Sequence, residues 1–211
     1  MKILVPFGHN ERGGSQLSWL RLADALAGEA FSFVCWAFEP GPLAEACAER
    51  GIPYAELPRS WTRTPWGLVR LARRIQQEEP EVIYLHASRT IALLARLLGI
   101  PCIERINMSR VPGAGGWARF PRIDRWCTEL NTRVLAVSQA IKDQLVARGV
   151  REDKIAVIRN FVDRDRFFRP DLRAPTRRAL GIPADATVVL NVGRLVPEKA
   201  QSDFLQVAAR C

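Results

Sequence analysis

The chain has 211 residues, 48% of them hydrophobic and 25% charged, enough apolar material for an ordinary core and a balance that excludes disordered or collagen-like chains. A length of 211 residues exceeds one average domain and falls short of two, so one full domain plus part of another is expected. The net charge of +9 favours phosphate-bearing partners (nucleotide sugars, anionic lipid headgroups or nucleic acid), although arginine richness is also what a GC-rich genome supplies.

Residues 2–7 (KILVPF) form a short apolar run closed by a glycine-bearing loop, and Ser15 to Ala27 then sets Leu17, Leu20, Leu22, Ala23 and Leu26 at helical spacing. The strand, loop, helix pattern repeats: FSFVCWAF at 31–38, a helix over 43–50, IPYAEL at 52–57 and a long helix over 66–78. EVIYLH at 81–86 leads into a helix over 90–99 ended by Gly99, and PCIERI at 101–106 is the next strand. The glycine- and proline-rich stretch 111–121 has no periodicity and predicts a loop. The wider loop 108–121, with Trp117 and Phe120, suits either an acceptor pocket or a linker. A helix near 122–131 precedes RVLAVS at 133–138, where Ser138 is the expected N-cap of a helix over 139–148 closed by Gly149. KIAVIRN at 154–160 is the last strand of this series. Apolar strands alternating with helices predict an α/β fold, a doubly wound, mainly parallel, Rossmann-like sheet covered on both faces.

From Asp163 to Asp185 the chain is charged and punctuated by Pro170, Pro175 and Pro183, with at most a short helix around 176–180. TVVLNVG at 187–193 then predicts a new strand, and 201–210 a helix. The expected organisation is an N-terminal domain over 1–165, a connector over 166–186, and the incomplete start of a second Rossmann-like domain over 187–211. One strand and one helix cannot bury their own apolar faces.

No apolar run approaches the roughly 18 to 20 residues that span a bilayer, and the start turns polar after one strand length, so neither a signal peptide nor a transmembrane helix is expected. Cys35, Cys47, Cys102, Cys127 and Cys211 are scattered, with no C-x-x-C pair and no histidine at ligand spacing. The expectation is a reduced cytoplasmic protein without structural zinc.

In open parallel sheets, ligands sit beyond the carboxyl ends of the strands. In the first such loop, GHNERGGSQ, Gly13 and Gly14 precede a helix start where bare N–H groups could meet a phosphate; a plain tight turn is the alternative. The spacing is not G-x-G-x-x-G, which disfavours a dinucleotide cofactor. In GRLVPEK, Arg194 and Lys199 could clamp a diphosphate, or the loop could simply be solvated. His86 and His9 are weak site candidates, since a lone histidine at a strand end or in a loop is more often structural. The stretch 59–75 mixes Trp61 and Trp66 with five arginines and reads either as a surface that rests on anionic lipid or as a core-facing helix with a basic edge. No basic–aromatic module supports nucleic-acid binding.

Three segments, GGSQLSWLRLADAL, RVLAVSQAIKDQLVARGVREDKIAVIRNFVDRDRF at 133–167 and VVLNVGRLVPEK at 188–199, make the chain resemble the family 4 retaining glycosyltransferases of the GT-B fold, two Rossmann-like domains facing across a cleft. The resemblance implies that Gly13, Gly14 and possibly Gln16 lie beside the donor diphosphate and sugar, and that Arg194 and Lys199 contact the diphosphate. Two positions depart from the family pattern: its glycine after the lysine is Ala200 here, and a histidine frequent at the end of the strand matching PCIERI is Asn107, which can bond a sugar hydroxyl but cannot titrate.

The expected function of the complete protein is transfer of a sugar from a nucleoside diphosphate donor to a glycan or lipid acceptor with retention, usually without metal and with no cofactor. It would suit the making of cell-envelope polysaccharide or glycolipid, in the cytoplasm or at the inner face of the membrane, and these 211 residues alone should not turn over. Two alternatives stand beside it: a binding subunit that docks a separate C-terminal-domain chain through 187–211, and a GT-B nucleotide-sugar epimerase relative.

Overall fold

The computed structural model describes residues 1–8, 13–86, 88–107, 121–162, 164–193, 195 and 199–210. Chain contacts divide it into two compact units, Met1–Phe161 and Val162–Cys211.

The first unit is built on seven parallel strands: β1 (Lys2–Phe7), β2 (Ser32–Ala37), β3 (Tyr54–Glu56), β4 (Val82–Leu85), β5 (Cys102–Ile106), β6 (Arg133–Ala136) and β7 (Ile155–Val157). Their order across the sheet is β3-β2-β1-β4-β5-β6-β7. The chain therefore winds outward from β1 in one direction, returns, and continues from β4 in the other. Six helices connect the strands: α1 (Gly14–Ala25), α2 (Leu43–Ala48), α3 (Pro65–Glu78), α4 (Arg89–Leu98), α5 (Pro121–Leu130) and α6 (Gln139–Ala147).

Because successive strand residues point to opposite faces, each strand feeds two cores. Leu4, Val34, Trp36, Ile83 and Leu85 pack with Leu71 and Ile75 of α3 and Ile91 and Ala95 of α4. Their neighbours Val5, Phe7, Cys35 and Tyr84 pack on the other face with Trp19 and Leu20 of α1 and Leu43 and Cys47 of α2. Ile106, Val134 and Ala136 meet Ile141 and Leu145 of α6. Strands buried on both faces cannot alternate apolar with polar, which is why their sequences run almost continuously hydrophobic.

The helix ends follow local chemistry. Thr64 caps α3 by accepting from the Gly67 N–H at 3.1 Å, and Ser138 caps α6 by accepting from the Ile141 N–H at 3.3 Å. Gly99 and Gly149 follow α4 and α6 at φ of 72° and 84°, the left-handed conformation that glycine adopts without steric cost.

The second unit holds α7 (Arg164–Phe167), α8 (Arg173–Ala179) and α9 (Gln201–Ala208). Arg177 donates from Nε and Nη2 to the Pro183 carbonyl at 3.1 and 2.7 Å, tying α8 to the turn that follows it. The strand expected over 187–193 is absent: among the described residues this segment has no backbone partner. Its β-branched sequence is strand-like, but a strand exists only as part of a ladder, and Val189, Leu190 and Val192 are 73%, 77% and 84% exposed instead.

Gly67 tests how tightly this scaffold is packed. A Cβ there would lie 2.5 Å from Trp61 Cα and 2.6 Å from the Ser60 carbonyl, both backbone atoms of the 3-10 turn Arg59–Thr62 beneath α3. Free space would let Gly67→Ala stabilise the helix by about 1 kcal/mol. With that turn in the way, the substitution is expected to lower stability by about 1–3 kcal/mol, read as a fall in the urea midpoint at unchanged slope.

Candidate functional site

The strand order reverses between β1 and β4, where the connections from the two strands depart in opposite directions and open α/β sheets bind ligands beyond the carboxyl ends. Several of the residues predicted from sequence follow β1, β4 and the neighbouring β5. Gly13 is the N-cap of α1, with φ −86° and ψ 170°, and Gly14 is its first residue. Neither needs the left-handed region. A Cβ on Gly13 would come within 2.9 Å of Gln16 Oε1, whereas one on Gly14 would meet nothing within 4 Å. Gly14 thus leaves an open patch of backbone at the positive end of a twelve-residue helix, suited to an anion. Gln16 is buried, and its Oε1 accepts from the Ser15 hydroxyl at 2.8 Å.

His86 directly follows β4. Its ring stacks on Phe7, with centroids 4.8 Å apart and planes inclined by 18°, and meets Tyr84 edge-on at 5.2 Å. Both ring nitrogens are shielded from solvent and have no hydrogen-bond partner among the described residues. Burial, helped by the nearby charge of Arg105, pushes its pKa down to about 3. The imidazole is neutral at physiological pH, able to donate from one nitrogen and accept at the other.

Asn107 directly follows β5, where its Oδ1 accepts from Arg105 Nε at 3.1 Å. Arg105, Tyr84 and Asn160 are members of this cluster that sequence reading passed over. Its signal was nonetheless in the chain: the charged pair Glu104–Arg105 interrupts a strand otherwise destined for burial on both faces.

Lys199 belongs to the second unit and is exposed, with its Cγ 3.2 Å from where a Cβ on Gly193 would stand. Ala200 sits at φ 52°, a left-handed conformation that is costly for any residue with a Cβ. Arg194, His9 and the loop residues Trp117 and Phe120 fall outside the described residues. Among the described residues no group of His, Cys, Asp or Glu could hold a metal, and no helix is long and apolar enough to cross a membrane.

The family model described as Glycosyltransferase Family 4 matches residues 12–166. The chain belongs to this family. It is 31% identical over 173 residues to a D-inositol 3-phosphate glycosyltransferase of Thermobispora bispora, a match covering 74% of this chain and 39% of that protein. In fold it follows the Anabaena protein HepE, solved with UDP and glucose, at a TM-score of 0.80 and 21% identity over 100% of this chain and 58% of that one. A UDP-GlcNAc 2-epimerase from Neisseria meningitidis shares the fold more distantly, with a TM-score of 0.56 and 13% identity over 88% of this chain and 54% of its own. The chain thus spans less than two thirds of the proteins it matches, and the parallel, Rossmann-like α/β sheet anticipated from its sequence is the one its first unit has, matching part of a GT-B glycosyltransferase structure.

The depressed pKa of His86 makes a pH prediction. In the unfolded chain a histidine protonates below about 6.5, while in the folded chain His86 stays neutral until about 3. The unfolded state therefore binds the extra proton first, and stability is lost as pH falls from about 6.5 toward 3. Between pH 7 and pH 5 the loss assigned to His86 is about 2 kcal/mol, and His86→Phe, which keeps the stack on Phe7, should remove that part of the slope in urea titrations at the two pH values.

Proposed function

We propose that the complete protein is a glycosyltransferase that moves a sugar from a nucleoside diphosphate donor to a glycan or lipid acceptor with retention, and that Met1–Phe161 is its acceptor-side half. The observation that supports this reading is that Gly13 and Gly14 follow β1 and His86 follows β4, the two strands between which the strand order reverses, in a chain that belongs to glycosyltransferase family 4. The open backbone at Gly14 suits the donor diphosphate, and the neutral imidazole of His86 suits hydroxyl groups. Arg194 and Lys199 are assigned to the same diphosphate on family likeness. The names of the relatives point toward UDP-linked donors and toward phosphorylated polyols among the acceptors. Fold alone does not separate transfer from epimerisation; family membership favours transfer.

Exposed apolar side chains at 188–195 favour one second reading, in which residues 187–211 dock another polypeptide and this chain is the binding subunit of a split enzyme. Calorimetric titration of the full-length protein with UDP-glucose, UDP-GlcNAc and GDP-mannose tests the main reading. At least one donor is expected to bind, and Gly14→Ala to weaken it at least tenfold without lowering Tm; silence toward every donor sinks it. Donor binding that arises only on co-expression with a second chain would select the subunit reading.

A peripheral membrane contact is the finer part of the same proposal. Trp66 is 79% exposed on α3, beside exposed Arg63, Arg70 and Arg73, while Leu71 and Ile75 of the same helix are in the core. An aromatic knob ringed by cations suits an anionic bilayer surface. Sedimentation with vesicles containing phosphatidylglycerol should carry the protein down at low salt, and Trp66→Ala with Arg70→Gln should release it; equal sedimentation with neutral phosphatidylcholine vesicles would refute the contact.

A further inference from the structure

Arg105 lies inside β5 at 5% exposure. Its Nε donates to Asn107 Oδ1 at 3.1 Å, Nη1 to Tyr84 Oη at 3.4 Å and Nη2 to Asn160 Oδ1 at 2.6 Å. All of these acceptors are neutral. No carboxylate of the described residues forms an ion pair with it. The neighbouring Glu104 cannot serve, because the pleat turns it to the opposite face, where its Oε2 accepts from Asn131 Nδ2 at 2.7 Å.

A buried guanidinium without a counter-charge is costly, and proteins retain such groups where a ligand supplies the missing charge. The neighbour of Arg105 makes the same point independently. His86, linked to it through Tyr84, buries both ring nitrogens without a partner among the described residues. Hydrogen-bonding groups left open in a buried cluster are groups awaiting a partner. The approach lies past Asn160, which is exposed, and Asn107, which is half-buried; movement of either amide uncovers the guanidinium fork.

We propose that Arg105 and His86 form a receptor for a hydroxylated oxyanion, with Arg105 taking a phosphate or carboxylate and His86 an adjacent hydroxyl of the same molecule. The receptor itself stands on this cluster, but its assignment to a substrate rests on the glycosyltransferase reading. Two sources carry the chemistry, the donor diphosphate and an anionic group on the acceptor.

The test is thermal unfolding of the chain at constant ionic strength, with chloride replaced in turn by inorganic phosphate, glucose 6-phosphate and UDP. Phosphate is expected to raise the wild-type Tm, and glucose 6-phosphate to raise it further at equal concentration. Arg105→Met should lose both shifts while melting no lower than wild type in chloride, because the variant also loses an uncompensated charge. His86→Phe should keep the phosphate shift and lose the excess given by glucose 6-phosphate. A UDP shift that disappears in Arg105→Met identifies the donor diphosphate as the source, and one that survives identifies the acceptor. If Arg105→Met does not fold, Arg105→Lys carries the test, since it keeps the charge without the fork and should shrink the shift. No phosphate shift in wild type, or an equal shift in the Arg105 variant, overturns the proposal. A phosphate shift in a protein whose full-length form binds no nucleotide sugar leaves the receptor standing and removes the glycosyltransferase reading.

Discussion

The ladder between β1 and β4 registers Ile3 with Val82 and Leu4 with Ile83, while β1 and β2 run in register over six residue pairs. Past Leu4 and Ile83 rings add to the packing, with Phe7 of β1 stacked on His86, the residue after β4, and Trp19 of α1 tilted against Phe7 at 5.5 Å. The order of the sheet depends on this junction, since every other strand is added outward from one side of it or the other. Aromatic stacking gives cohesion there without spending backbone polar groups.

The same region shows how a buried sheet accommodates charge. Glu104 and Arg105 are adjacent in sequence and yet cannot neutralise each other, because a parallel strand covered on both faces sends them into separate environments. Glu104 joins a network with Asn131, Thr128 and the α5 helix, in which Lys154 also bonds the carbonyls of Glu129 and Asn131 at 2.6 and 3.0 Å. Arg105 joins a separate one. The first network has the composition of a structural element, with opposite charges and backbone carbonyls in reach; the second has only amides and a phenol. Such asymmetry separates groups that hold the fold from groups held in reserve for a ligand.

Most of the first unit could be read from its sequence because its signals are local and agree with one another. Apolar runs of strand length, leucines at helical spacing, serine at the start of α6 and glycines at the ends of α4 and α6 each fix an element without reference to distant residues. The segment 187–193 was misread for the complementary reason: composition records β-propensity, but pairing is a property of neighbours, and the described residues supply none. Gly13 and Gly14 stand at the start of α1, where the sequence places a helix start; a Cβ on the one would approach Gln16, and the other leaves backbone bare. Arg105 was overlooked because the reading of PCIERI weighed its hydrophobic residues and passed over its charged ones.

The outer strands β3 and β7 are three residues long. An edge strand exposes backbone N–H and C=O groups that a strand of another molecule can pair with, and the number of such groups grows with its length. Margins of three residues leave little to pair with. The brevity of β3 and β7 thus limits edge-to-edge association of the sheet.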